Sequence, residues 1–484
     1  MKISSMDLTS GNTLTLVKKV VLYSLPLILV GCIEILFSTF DLIVIEGFEG
    51  ELSASAVGAN AALNSLLTNV FIGLSTGENV IIAKYYGENN KEKAEKACYS
   101  GLILAFLAGI IVMIIGYFLA PYILKWQNVD SSYYDLAVQY LRTYFFALPF
   151  ISIYNFGSAI FRGTGNSKMP LIFLGLAGIL HISLNYLFVY GLHLSVVGTG
   201  LSSICSYFTA NVLIFFFLKK NKNFIDFKFK NIRLYKEETI EILKVGIPSG
   251  LQGMIFALSN MILQSTVNTW GPRIVEVNAD CESIENFCYT SMFSIAQGGS
   301  AFISANYGKG EEKNIKKLVF IILGVCTGFG LLIGLFLLSL YRPLITAYTG
   351  GKADEAFFAL CLERLALLLP TYFLCGTMDT FTNVLRGLNR AAIPMIISIF
   401  WACCFRLIWN FFVYSDDPSS VMHSTIILYT CYPVSWTASI TCQVIYYFVE
   451  RKKIYKEVEN NKAIYLKENA LASIRTNGET ATQN

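Results

Sequence analysis

Charge is scarce in this 484-residue sequence: Asp, Glu, Lys and Arg make up 14% of it, against about a quarter in soluble globular chains. A soluble globular enzyme is thereby excluded. No Cys-x-x-Cys pair occurs among the 12 cysteines. Most of these lie inside apolar runs (Cys32, Cys98, Cys205, Cys326, Cys375, Cys403, Cys404), where cysteine behaves as a small apolar packing residue rather than a metal or disulfide framework. No GxxxxGK[ST] string is present, so direct ATP coupling within this chain has no support. HExxH and paired catalytic carboxylates are missing too, and the chain is read as a non-enzyme. The first 20 residues, with Asp7 and scattered Ser and Thr ahead of Lys18 and Lys19, lack the compact apolar core of a signal peptide. Insertion is therefore expected to use the first helix.

Apolar residues are abundant, at 54% of the chain, and the mean hydropathy is +0.54. They fall in runs of about 20 or more residues, the length a helix needs to cross a hydrocarbon core of roughly 30 Å. Membrane β-strands would be half as long and would alternate. Helices are predicted near 20–46, 53–84, 97–124, 134–160, 168–190 and 195–218, then near 240–270, 284–306, 315–341, 357–384, 392–414 and 422–449. One set of alternate loops is basic, holding for example Lys91, Lys93 and Lys96, then Lys219, Lys220, Lys222 and Lys228, then Lys313, Lys316 and Lys317. The other set carries acids: Glu46, Glu49, Glu51, Asp280, Glu282, Asp416 and Asp417. Positive charge is retained on the cytoplasmic side. The expectation is a multi-pass protein of the cell membrane with both termini cytoplasmic.

The sequence also repeats itself. Arg162-Gly163 precedes Pro170 as Arg386-Gly387 precedes Pro394, and Val189-Tyr190 recurs as Val413-Tyr414. Gly77 and Tyr86-Gly87 recur as Gly298 and Tyr307-Gly308, and Pro26 is echoed by Pro248. The predicted organisation is an N-terminal six-helix bundle (1–218), a basic linker (219–236), a C-terminal six-helix bundle (237–453) and a polar, disordered tail (454–484). Each copy has an even number of helices, so both insert the same way up and a pseudo-twofold axis should lie along the membrane normal. The fold class is thus an all-α integral membrane protein of about twelve transmembrane helices. Two such bundles favour alternating access about a central cavity, the logic of parallel-repeat secondary transporters.

The punctuation of these helices resembles the multidrug and toxic compound extrusion (MATE) family. The first helix, "PLILVGCIEILFSTFDLIVIEGF", is similar to the family's Pro-then-Asp helix, with Asp41 at the Asp position. "GLSTGENVIIAKYYGENNKEKA" resembles its Gly-x-x-Thr-Gly pattern. "LPFISIYNFGSAIFRGTGNSKMPLI" and "MDTFTNVLRGLNRAAIPMIIS" resemble its Arg-Gly…Pro blocks, and "YPVSWTASI" resembles the start of the last helix in the DinF-like branch. The likeness covers roughly 15–455. It implies a secondary antiporter that exports organic, cationic or amphipathic compounds in exchange for H⁺ or Na⁺, with no cofactor beyond the coupling ion. Small organic molecules and the lipid bilayer are the expected partners, nucleic acid is not, and a monomer is expected.

Ionisable groups inside a membrane are expensive and point to function. Glu34, Ser38 and Asp41 share one face of the first helix. Asp41 leads the ion-coupling candidates, able to bind Na⁺ through oxygen or to take a proton, against the plainer reading of a buried packing acid. His181 and Asn185 stand one turn apart on the fifth helix, where the resemblance would place Asn and Asp. They replace one negative charge with a group that titrates near neutrality. Asn64, Asn69, Asn155 and Ser203 are cavity candidates, or else hydrogen-bonding glue between helices. In the second half Asp379 and Arg406 are expected to pair, as a structural ion pair or one broken by protonation or substrate. Two rival functions remain open: a flippase for a lipid-linked glycan, and a non-transport membrane protein such as an intramembrane enzyme or receptor.

Overall fold

The computed structural model describes the backbone of residues 5–220, 224–414 and 424–481, with side chains as far as 467. Its regular structure is helical in all of the described residues that have one. Twelve long segments run α1 Thr13–Glu49, α2 Glu51–Gly87, α3 Lys91–Trp126, α4 Tyr134–Gly163, α5 Lys168–Gly191, α6 Ser195–Lys220, α7 Lys236–Asn268, α8 Pro272–Lys309, α9 Glu312–Ser339, α10 Glu355–Gly387, α11 Ala392–Phe412 and α12 Thr425–Ala481. Ten of them are long and apolar enough to cross a membrane. The other two, α8 and α12, are more polar and complete the expected twelve. Prolines 26, 121, 149, 248 and 433 lie inside helices, as membrane helices tolerate when neighbours satisfy the freed carbonyl. Asn90 caps α3 by accepting from Lys93 N at 3.1 Å, and Asp354 caps α10 by accepting from Phe357 N at 2.7 Å. Gly310, at φ 78°, ends α8 in the left-handed conformation that glycine allows.

The chain divides into two compact units: residues 1–8, 29–250 and 463–484 in the first, and 9–28 and 251–462 in the second. Within the first unit α4 packs against α2, α3 and α6, and α5 against α6. Within the second the same scheme returns, with α8, α9 and α10 packed on one another. The membership of α1 and α7 changes along their length, in each case two residues after the proline, Pro26 or Pro248.

Small residues make these packings possible. In the first unit a Cβ at Gly77 of α2 would lie 2.3 Å from the Ile242 carbonyl oxygen of α7, and one at Gly73 would lie 2.6 Å from the Gly250 Cα. Gly298, the repeat counterpart of Gly77, meets α1 inside the second unit, where Tyr23 and Ser24 lie about 3.3 Å from its would-be Cβ. Close backbone approach of this kind is how membrane helices gain contact without a hydrophobic driving force.

Several expected loops turn out to be ordered. Asp280 and Glu282 lie inside α8, and Glu46 and Glu49 close α1, while Asp416, Asp417 and Lys222 lie outside the described residues. The linker from 224 onward packs by its apolar residues: Ile225 and Phe227 are buried, and the Phe227 ring centre sits 5.5 Å from that of Tyr99. The tail is not disordered over its first turns. It continues α12, burying Ile454 and Val458 one turn apart, while Glu457 accepts from Arg390 Nη2 at 2.8 Å and from Tyr307 Oη at 2.9 Å. Apolar residues at i and i+4 among Lys and Glu are enough to dock such a helix.

Candidate functional site

In the first unit Asp41, His181 and Asn185 come together. The apolar runs of α1 and α5 carry them inward, and all three are buried. His181 Nε2 lies 2.9 Å from Asp41 Oδ1, and Asn185 Nδ2 donates to the same oxygen at 2.5 Å. Asn185 follows His181 by one turn, which sets both nitrogens on one face 3.3 Å apart. The imidazole stacks on Phe37, ring centres 4.7 Å apart and planes within 10°, so its orientation is held from both sides. His181 Nδ1 and Asn185 Oδ1 are buried without a hydrogen-bond partner. An N–H left without an acceptor in that position would be costly. The bonding pattern therefore assigns the proton to Nε2, donating to Asp41 Oδ1.

Tyrosines line the space between Asp41 and Glu34. Tyr144 and Tyr207 lie within electrostatic reach of both carboxylates, and Tyr207 packs against Phe37 and Tyr154. Arg162 is the cation that acts on Glu34. Ser38, between the two acids in sequence, is exposed. Of the remaining candidates, Asn64 donates to Tyr140 Oη at 3.1 Å, itself within reach of Asp41, and so borders the site. Asn69 is exposed and bonds Ser65 of its own helix. Asn155 donates to the Ile151 carbonyl one turn back at 2.9 Å, and Ser203 is buried on α6. The structure does not bring these last three to Asp41.

The expected Asp379–Arg406 pair is not formed. Among the described residues no ion pair joins them. Arg406 donates from Nε to Ser435 Oγ at 3.0 Å and lies over the Tyr432 ring at 4.3 Å, while the cation acting on Asp379 is Arg386, two turns along its own helix. Complementary charge alone suggested the pair, and the aromatic rings of α12 occupy the place of the carboxylate.

Sequence reasoning missed two further buried groups. Arg364 of α10 makes a two-pronged bond to Glu285 of α8, Nε to Oε1 at 2.7 Å and Nη2 to Oε2 at 2.9 Å. It also donates to Asn278 Oδ1 and lies 4.6 Å from the Tyr429 ring. Tyr372 and Tyr429 complete the network, donating to Glu285 and Asn278 at 3.2 and 3.0 Å. Beside it opens a small cleft walled by Leu263, Gln264, Glu282, Tyr429 and Tyr432. The second group is Glu78 of α2, fully buried, with both carboxyl oxygens unpartnered beneath Gly101. A charged residue inside an apolar run was the signal for Glu78 and Arg364, the same one that marked Asp41, whereas Glu285 stands in a polar stretch of α8.

The string Gly73-Leu74-Ser75-Thr76-Gly77 has the spacing of a hydrolase nucleophile elbow, which requires a strand-to-helix turn. Here Ser75 is buried in mid-helix and donates to the Ile72 carbonyl at 2.9 Å. No elbow exists.

The MatE family model matches residues 26–187 and 248–412, one match in each repeat. The probable multidrug resistance protein YoeA of Bacillus subtilis (strain 168) is 23% identical over 390 residues, covering 78% of this chain and 83% of that one. The multidrug export protein MepA of Staphylococcus aureus (strain NCTC 8325 / PS 47) is 20% identical over 383 residues, with 78% and 83% covered. Among solved structures, a MOP superfamily transporter from Pyrococcus furiosus Vc1 (DSM3638) superposes with a TM-score of 0.81 at 19% identity, covering 94% of this chain and 99% of that one.

Proposed function

We propose that this chain, which belongs to the MatE family of membrane transporters, exports organic amphipathic or cationic compounds in exchange for protons taken up at Asp41. The observation that carries the reading is the Asp41–His181–Asn185 cluster: a buried carboxylate whose one bonded oxygen faces two nitrogen donors. Sodium is a hard cation that takes oxygen ligands, and N–H groups aimed at Asp41 compete with it. A proton needs only one acceptor. Histidine is also the side chain whose ordinary titration spans pH 5 to 8. The names of YoeA and MepA support drug export as the transport class.

Protonation at Asp41 would turn an acceptor of two hydrogen bonds into a neutral acid that can donate. Its bonds to His181 and Asn185 must then rearrange. Those bonds tie α1 to α5. Helix α1 carries Pro26, whose missing amide weakens the helix just before its unit membership changes. Loosening the tie would let α1 bend and the substrate leave. The basic loops face the cytoplasm in this reading, with both termini inside.

The test uses proteoliposomes loaded with a fluorescent organic cation. A proton gradient should drive transport and a sodium gradient should not replace it. Asp41→Asn should abolish the gradient-driven component while leaving dye binding measurable. Undiminished proton-driven transport by Asp41→Asn, or transport driven by sodium alone, would overturn the proposal.

A further inference from the structure

Arg406 stands out as a buried cation without a counter-ion. It lies within the apolar helix α11 and is 6% exposed. Its side chain makes one hydrogen bond, from Nε to Ser435 Oγ at 3.0 Å. The rings of Tyr432 and Trp436 cover it at 4.3 and 5.9 Å. Among the described residues its two terminal nitrogens bond to nothing and no carboxylate lies within ion-pair distance. A charge in a membrane interior is expensive, and aromatic faces offset that cost only in part. The planar fork of donors, moreover, is the shape that binds a carboxylate or other oxyanion through two parallel bonds.

Three neighbouring features describe a receptor rather than a packing accident. A π-helical turn, Phe400–Cys404, precedes Arg406 and leaves the Ala402 carbonyl to accept from Ser259 Oγ at 3.4 Å; wide turns of this kind gather at functional sites. Tyr432, which covers the guanidinium, also walls the small cleft beside Glu282 and Tyr429, so the cation stands behind an aromatic side of an opening in the bundle. The acids nearby are otherwise engaged or unpaired. Glu285 is held by Arg364. Glu282 lies 3.7 Å from Arg364. Asp379 has one oxygen buried without a partner and, like Arg406, acts on the Cys375 thiol one turn before it. Asp379 and Arg406 thus leave the second unit with two charges that do not neutralise each other.

We propose that Arg406 is the anchor for an anionic group, a carboxylate or sulfonate, on an aromatic substrate whose ring system packs against Tyr432 and Trp436. This deepens the export reading and rests on it for transport. It assigns the substrate class as amphiphiles that carry an oxyanion, zwitterions included, rather than cations alone.

Binding without any gradient separates the two. The probes are a xanthene dye with a free benzoate and the methyl ester of the same dye, followed by fluorescence anisotropy on the purified full chain. The wild type should bind the free acid roughly tenfold or more tightly than the ester, the scale of a two-pronged charge-assisted bond. Arg406→Gln should erase that preference, dropping acid affinity to the level of the ester while ester affinity stays within about twofold, which also reports an intact fold. Arg406→Lys should recover only part of it, since an ammonium lacks the fork. Asp41→Asn should keep the preference while losing proton-driven transport. A wild type that does not distinguish acid from ester, an Arg406→Gln variant that still does, or loss of both ligands together, which would make Arg406 structural, would each overturn the assignment.

Discussion

Arg364→Met tests how the second unit is held. The native guanidinium makes bonds of 2.7 and 2.9 Å to Glu285, one more to Asn278, and a face contact at 4.6 Å with Tyr429. Methionine reproduces the aliphatic stem and none of the donors. Glu285, itself 3% exposed, would keep only the Tyr372 hydroxyl at 3.2 Å. Removing one partner of a buried ion pair costs about 3–5 kcal/mol, mainly because the other charge is stranded away from water, and a loss in that range is expected. Glu285→Leu strands the guanidinium and should cost a similar amount. The double variant removes both charges, and replacing a buried pair by apolar groups is often neutral or stabilising. It should return to within about 1 kcal/mol of wild type, an interaction energy larger than either distant or additive sites could give. Thermal unfolding in detergent, followed by tryptophan fluorescence, reads all four proteins. Additive losses in the double variant, or an Arg364→Met midpoint equal to wild type, would refute the argument.

Two other outcomes follow from packing and charge. Gly77→Ala places a Cβ 2.3 Å from the Ile242 carbonyl and should destabilise by about 1–3 kcal/mol as α2 and α7 are forced apart; Gly328→Ala, where nothing lies within 4 Å, should be neutral or stabilising by about 0.5–1 kcal/mol, and equal midpoints for the two variants would count against the close crossing. At the polar end of α12, burial alone would raise the Glu457 carboxyl, but hydrogen bonds from Arg390 and Tyr307 outweigh it and hold the group below its ordinary value. A depressed acid stabilises the fold above its unfolded value, about pH 4.3, and that contribution fades as pH falls through the folded one. The midpoint difference between wild type and Glu457→Gln should therefore be present at pH 7 and shrink below about pH 4; a difference that grows on acidification would contradict the sign.

The spans, the repeat and the shared face of His181 and Asn185 were legible because each rests on local pattern. Apolar runs set α1 to α7 and α9 to α11 within a few residues, and the spacing of His181 and Asn185 alone places them on one helical face. What failed was whatever needed distance between helices. Asp379 and Arg406 are complementary in the sequence, yet Tyr432 and Trp436 of α12 stand over the guanidinium. Glu285 was overlooked because α8 is polar along much of its length, so one more acid at the start of the helix predicted from 284 does not stand out. The docked start of the tail was carried by only two apolar residues, Ile454 and Val458, too few to register against the surrounding lysines and glutamates.

Duplication supplied the frame, and the side chains at equivalent places explain why the halves cannot share one task. Asp41 corresponds to Leu263, which is buried beside Val267, Leu368 and Met378. His181 corresponds to Phe405, which packs between Trp401 and Trp409. Leu263 brings no carboxylate and Phe405 no titratable ring, so these positions of the second unit hold no copy of the first site. The relation runs the other way as well. Asp379 corresponds to Asn155, which is satisfied by its own helix. Arg406, without an ion-pair partner among the described residues of the second unit, stands where the first unit has Ile182. A chain that keeps its titratable cluster in one unit and its open guanidinium in the other has separated the group that takes up the ion from the group that would recognise the cargo, so under the proposed mechanism each can be altered without the other.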